Sequence, residues 1–397
     1  MSIRIPKRIT NLARLFLEPV NPTHRQYEAL RAFFVEGLCS AEAARRFGYT
    51  PGSFRVLCHQ FRCRIDPASY PKLMELWFDA VGKLGIGRGQ SFDLDFHTIP
   101  FHGEDALIEK HYVSKRSRRQ KGILAFLAHD AERRLFCYAN AQVRKSDQND
   151  EILRFVGFWK ARTGELPGEL IFDSKLTTYA NLNRLNQMGI AFITLRRRSQ
   201  KLLEEIFSHP VSAWRRIELT GLSRVYRTPR ILDRGLTLPG YQGSLRQVSV
   251  LDLGHEEPTL LLTNQLRCSP AKLIGRYAQR MIIENSIQDG IDFFHMDALS
   301  SAVAMKVNCD VQLTLMASSL YRLLGIQVGN GYETAKSSHI FRDLVNADAQ
   351  VILSNTEVTI RMHKRSHNPL LIAAGFPHTR VPIPWLGGKI LRFDFGS

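Results

Sequence analysis

The sequence predicts an α/β fold with a β-rich insertion and an N-terminal helical module, and three observations carry that prediction. FDLDFH (92–97) alternates apolar and polar side chains at the two-residue period of a half-buried strand. ELIFDSKL (169–176) is apolar enough to be a central strand, and it runs straight into an acid, Asp173. Between them DQNDEILRFVGFWKARTG sets Ile152, Phe155, Val156 and Trp159 at helical spacing, so strands and helices interleave.

Size and charge set the outer limits. A chain of 397 residues exceeds one ordinary domain, and two to four units are expected. Lys and Arg outnumber Asp and Glu by 54 to 37, for a net charge of +17, which points to a polyanionic partner. An anionic membrane is the competing partner. No apolar span of about 18 residues runs unbroken, since the best candidate, Val311 to Val328, contains Gln312 and Arg322. The opening MSIRIPKRITNLARLFLEP has no apolar core leading to a cleavage site and reads as no secretory signal. The six cysteines are scattered, as expected of free thiols in a reducing cytoplasm, and Cys58, His59 and Cys63 lack the second ligand pair that a zinc site needs.

Taken in order, residues 1–22 form a basic arm. Residues 23–66 hold three short helical runs punctuated by Gly37 and Gly48, with Ser40 and Thr50 as expected N-caps and Pro51 opening the third run. Helix, turn at Gly48, helix is the layout of a helix-turn-helix reader. Ser53, Arg55, His59 and Arg62 would then face DNA, while Phe54, Val56, Leu57 and Phe61 include the packing positions. A three-helix packing module without DNA contacts is the other reading. Residues 67–90 read as a linker helix and a glycine-rich hinge, GKLGIGRGQ.

Residues 91–199 open with the FDLDFH strand, which puts Asp93, Asp95 and His97 on one face. SKRSRRQK follows, with Lys115, Arg116, Arg118, Arg119 and Lys121 as candidate phosphate contacts or a solvated face. KGILAFLAHD and RRLFCYANAQV read as a hairpin turning at HDAE. Asp173, at the end of a buried strand, needs a partner: a metal ion, or the next helix, which it could cap. IAFITLRRR completes the sheet and delivers Arg196, Arg197 and Arg198, with Lys201 just beyond. Three strands, helix, strand, helix, strand is the order of a ribonuclease H-like core. Residues 200–268 read as the β-rich insertion, with strands in RRIELTG, LRQVSVLDLG and EPTLLLTNQ. Residues 269–328 return to the core, and 329–397 combine a helix near Glu333–Val345, the strands AQVILS and EVTIRMH, and a basic HKRSHNP turn.

The stretch Arg276–Asp297 reads as one helix, with Tyr277, Arg280, Glu284, Gln288 and Asp292 on a polar face and Ile283, Ile287 and Phe294 on an apolar one. Its YAQRMIIE resembles the Tyr-x-x-Arg-x-x-x-Glu signature of DDE transposases from bacterial insertion sequences. The order and approximate spacing of Asp95 and Asp173 upstream resemble the same family, over most of the chain after about residue 85. The resemblance favours Asp95 over Asp93. It implies that Asp95, Asp173 and Glu284 hold two Mg²⁺ (or Mn²⁺) ions per active site, and that Tyr277 and Arg280 contact the element end. It also implies double-stranded DNA, both element ends and target, as the substrate, and a homodimer at synapsis. Family members often carry Lys seven residues after the Glu, where this chain has Ile291. Three acids brought together would repel, so at least one should be harder to ionise than usual. A non-catalytic DNA-binding regulator and a metal-dependent nuclease without strand transfer are the rival readings.

Overall fold

The alternating FDLDFH segment lies in strand β1 (Ser91–Pro100), the hub of a ten-stranded mixed sheet. The structure is a computed structural model that describes residues 26, 29, 39–64, 70–82, 88–101, 108–113, 117–174, 176, 178–219, 227–254, 257–297, 304–383 and 386–396. The basic arm, the first helical run apart from Gln26 and Ala29, most of the glycine-rich hinge, and Lys115 and Arg116 lie outside the described residues, as do the side chains of Phe61, Arg62 and Cys63.

Helices α1 (Ser40–Arg46) and α2 (Pro51–Arg64) are joined by a turn in which Gly48 takes φ 68°, a value that glycine adopts without strain. Thr50 caps α2 as its sequence suggests, its Oγ1 accepting from the Ser53 amide at 3.0 Å. Ser40 does not cap α1: it is the first helical residue, and Cys39 stands at the cap without a side-chain bond. On α2, Phe54, Leu57 and Cys58 are buried, whereas Val56, expected among the packing positions, is exposed. Ser53, Arg55 and His59 share the open side. Cys58 therefore packs in a core. Helix α3 (Tyr70–Gly82) follows.

β1 pairs antiparallel with β3 (Arg118–Asp130), which pairs antiparallel with β4 (Leu135–Val143), while the short β2 (Lys110–Val113) flanks β3. The β3–β4 turn is held by Asp130, which accepts from the amides of Glu132 and Arg133 and, across the chain, Gly89. Helix α4 (Glu151–Thr163) buries Ile152, Phe155, Val156 and Trp159 as its spacing requires. β5 (Glu169–Phe172) then lies parallel to β1, helix α5 (Tyr179–Gln187) crosses back, and β6 (Ala191–Leu195) lies parallel to β5. Asp173 does not cap α5, because Thr178 takes that place and accepts from the Asn181 amide.

The sheet does not end at β6. After helix α6 (Gln200–Phe207), strands β7 (Arg215–Arg216), β8 (Arg230–Leu236), β9 (Leu245–Leu251) and β10 (Thr259–Thr263) extend it, β10 pairing antiparallel with β6. The expectation that IAFITLRRR completes the sheet is thus corrected: the 200–268 segment is β-rich, but it continues the central sheet.

The sheet has two covered faces. Phe92 and Leu94 of β1 join Phe155, Trp159, Leu182 and Leu185 of α4 and α5 in one core. The opposite face carries Asp93, Asp95 and His97 and receives α7 (Pro270–Ala278), α8 (Met281–Asp292) and α9 (Ala304–Val328). The C-terminal region forms a second sheet, β11 (Ala349–Leu353), β12 (Glu357–Met362), β14 (Lys389–Phe395) and β13 (Val381–Ile383) in that spatial order. The helix expected near Glu333–Val345 is a short helical turn, Ser337–Ile340, running into a π-helical turn at Phe341–Val345.

Candidate active site

Strand alternation sends Asp93, Asp95 and His97 of β1 toward α7 and α8, and two arginines meet them. Arg276 Nη2 donates to Asp93 Oδ1 at 3.0 Å, and Arg280 Nη2 stands 2.8 Å from Asp95 Oδ2. The match is geometric. Four helical residues rise about 6 Å and two strand residues about 6.6 Å, so an i, i+4 arginine pair registers with an i, i+2 aspartate pair. Arg276 also bonds Ser91 Oγ and Glu169 Oε2, and Gln265 closes on Glu169 Oε1 at 2.7 Å. This part-buried network fastens the start of the helical stretch to β1 and β5.

It also separates the two candidate aspartates. Asp93 is fully buried with its proton affinity pushed up to about 6, chiefly by burial, and Arg276 opposes the shift. Asp95 reaches the open cleft.

The expected single helix Arg276–Asp297 is two helices. Between α7 and α8 the bonds shorten to i+3 steps, Arg280 N to Tyr277 O at 3.1 Å and Ile283 N to Arg280 O at 3.1 Å, and Arg280 sits in the break with helical dihedrals. The polar face persists within α8, where Gln288 bonds Asp292 at 2.6 Å. Ile283, Ile287 and Ile291 pack into the core, while Phe294, beyond the helix end, packs with Ala317 and Tyr321. Ile291 is therefore buried at the position seven residues after Glu284, where the sequence resemblance would imply a lysine.

A cleft of about 860 Å³ opens beside the break, and Asp95, Asp173 and Glu284 all line it. Asp173 stands immediately after β5, its Oδ1 accepting from the Ser174 amide and hydroxyl. Glu284, on the first turn of α8, accepts from Arg280 Nη1 at 2.7 Å. Arg280 thus bridges two of the three acids. Asp95 is held above the usual carboxylate range, first by burial and further by the charges of Glu284 and Asp173, with Arg280 pulling the other way. Like-charge repulsion, the expected cause, is the smaller one. Tyr277 is half-buried behind the cleft, and burial followed by the same three carboxylates makes its hydroxyl harder to ionise, against Arg280.

Among the expected cations, Arg119 and Arg197 line the cleft. Arg118 is exposed on β3, and Arg55 on α2. Arg196 is taken by Gln247 at 2.8 Å and Arg198 by Glu257 at 2.7 Å, so neither turns into the cleft. Sequence reasoning missed Lys110 and Lys145, which add to a basic wall, and His111 and Tyr112, which line the cleft beside them. It also missed the clasp between His97 Nε2 and Asp297 Oδ1, at 2.7 Å. Alternation on β1 already placed His97 beside Asp95; nothing local marked Asp297 as its partner.

Among the described residues no three acidic, histidine or cysteine side chains stand close enough to grip an ion as they are. The donor set nonetheless fits Mg²⁺ or Mn²⁺, which take carboxylate oxygens and water without a His or Cys cage. The Arg280 guanidinium stands between two of the carboxylates, Asp95 and Glu284.

No protein-family model matches the chain, and no curated protein matches it. Among solved structures, a piggyBac transposase synaptic complex with hairpin DNA is similar at 13% identity and a TM-score of 0.43, over 81% of this chain and 70% of that one. That likeness is too slight to fix fold or function. Among the described residues no helix is long and apolar enough to cross a membrane.

Proposed function

We propose that this chain is a DDE-type DNA transposase that binds terminal inverted repeats, cleaves the element ends and joins the freed 3′-hydroxyls to target DNA. The observation that carries the reading is the meeting of Asp95, Asp173 and Glu284 in one cleft whose rim includes Lys110, Arg119, Lys145 and Arg197. The strand succession β1, β3, β4, α4, β5, α5, β6 fits a ribonuclease H-like core, with the acids on its first strand, after its fourth and on a covering helix.

In this reading the rim cations hold phosphates and position a duplex without reading its sequence. The exposed side of α2, with Ser53, Arg55 and His59, serves as the reader of a helix-turn-helix pair. Asp95, Asp173 and Glu284 would hold two Mg²⁺ or Mn²⁺ ions, which supply charge neutralisation at the phosphate and a nucleophile at neutral pH. In this reading Arg280, which lines the cleft, and Tyr277, half-buried behind it, would contact the element end. A homodimer at synapsis and a cytoplasmic, nucleoid-associated location belong to the same proposal.

The test is a donor plasmid carrying the element's ends, incubated with Mg²⁺. Wild type should cleave and join, and Asp173→Asn should lose at least ~100-fold in rate while still binding DNA, since metal-assisted charge stabilisation is worth several kcal/mol. Binding without cleavage by wild type would make the chain a regulator, and cleavage without joined product would make it a nuclease.

A further inference from the structure

Arg276 and Arg280 are one helical turn apart, yet they are held in different ways. Arg276 is tied by Ser91, Asp93 and Glu169, three side chains on two neighbouring strands. Among the described residues the side chains of Asp95 and Glu284 alone tie Arg280, while each arginine keeps one buried nitrogen, Arg276 Nη1 and Arg280 Nε, without a hydrogen-bond partner. It also sits at the interruption between α7 and α8, where i+3 bonds replace the helical ladder. If another cation satisfies the two carboxylates, nothing else described holds the guanidinium in place.

We infer that Arg280 is a displaceable latch: its guanidinium lies between Asp95 and Glu284, two of the acids that would hold a divalent ion, and would give way toward the cleft when those acids take up the ion. This rests on the proposed metal role of those acids. Three features support it. A divalent cation carries twice the charge and takes several carboxylate oxygens at short range, so it competes effectively for the same two acids. Arginine's long side chain can swing without moving the backbone, and the cleft beside it is open. A released guanidinium, with its planar fork of donors, is well suited to a phosphate. Charge is conserved in use: the cation that keeps the acids from repelling one another becomes a DNA contact once the ions do that work.

The experiment is a calorimetric Mn²⁺ titration of the full chain without DNA, for wild type, Arg280→Gln, Arg280→Lys and Asp173→Asn. The latch predicts that Arg280→Gln binds Mn²⁺ at least ~10-fold more tightly than wild type, because the competitor is gone, and that Arg280→Lys, which keeps the charge but not the fork, falls between. Loss of Mn²⁺ binding in Asp173→Asn locates the ions at this site. If wild type binds Mn²⁺ and both arginine variants bind equally or more weakly, the latch is wrong and the metal site stands. If none of the four proteins binds Mn²⁺, or Asp173→Asn binds as wild type does, the metal site itself fails and the latch with it. Should Arg280→Gln not fold, Arg280→Lys alone decides, since unchanged or weaker affinity there also overturns the latch.

Discussion

His129 shows how much one buried side chain can write into the pH dependence of this protein. It is fully buried against Phe136, with Nε2 near the Ser286 hydroxyl at 3.3 Å. Burial first, and the Arg322 charge next, push its protonation down to about 3 from the usual 6.5. The folded state therefore keeps it neutral while the unfolded chain takes up a proton below about 6.5, so its contribution to stability is full above that pH and is lost as pH falls toward 3. Asp93 runs the other way. With ionisation displaced up to about 6, its burial cost is felt above that pH and is relieved as pH falls toward 3.8. Between pH 7 and 5 the two effects oppose and largely offset one another, each on the order of 1–2 kcal/mol. Wild type should show only a modest fall in unfolding temperature over that range. His129→Gln should become more stable toward pH 5, and Asp93→Asn should fall more steeply than wild type; parallel curves for all three would refute the assignment.

The helical stretch that carries Arg276 and Arg280 is the element on which the site depends, and its attachment is testable by itself. Arg276→Leu leaves Asp93 buried without its cation, and breaking such a pair costs about 3–5 kcal/mol. Adding Asp93→Leu removes the stranded charge and should restore much of the loss in a denaturant titration; a double variant no more stable than the single would show that the pair does not anchor α7. The alternation of FDLDFH and the apolar ELIFD run were readable because each element's burial follows its own period. β8 was not readable. RILDRGL mixes charge into the strand, and those charges are satisfied across elements: Arg230 by Asp252, Asp233 by Arg246 and Arg234 by Glu205. The break at Arg280 was hidden for a related reason, since YAQRM contains no Gly or Pro and the interruption follows packing on the sheet.

At the scale of the whole molecule, the net charge of +17 announced a polyanionic partner but not where it lies. Of the clustered arginines Arg196, Arg197 and Arg198, the fold turns only Arg197 into the cleft, and it brings Lys110 and Lys145 there from segments with no basic run of their own. Replacing Arg119 and Arg197 together by Ala should weaken duplex binding similarly on any sequence and flatten the slope of log affinity against log salt by about 2, one per lost phosphate contact. An unchanged slope would place the DNA elsewhere. The meeting of Asp95, Asp173 and Glu284 was legible only as a hypothesis, because a sequence gives their order and the sheet with its covering helices gives their proximity. The most direct measurement is a count of Mn²⁺ bound per chain in a complex with duplex DNA, read by electron paramagnetic resonance for wild type, Asp95→Asn, Asp173→Asn and Glu284→Gln. Two ions on wild type and a loss of at least one in each variant is the predicted result, whereas the same number bound by all four proteins would contradict it.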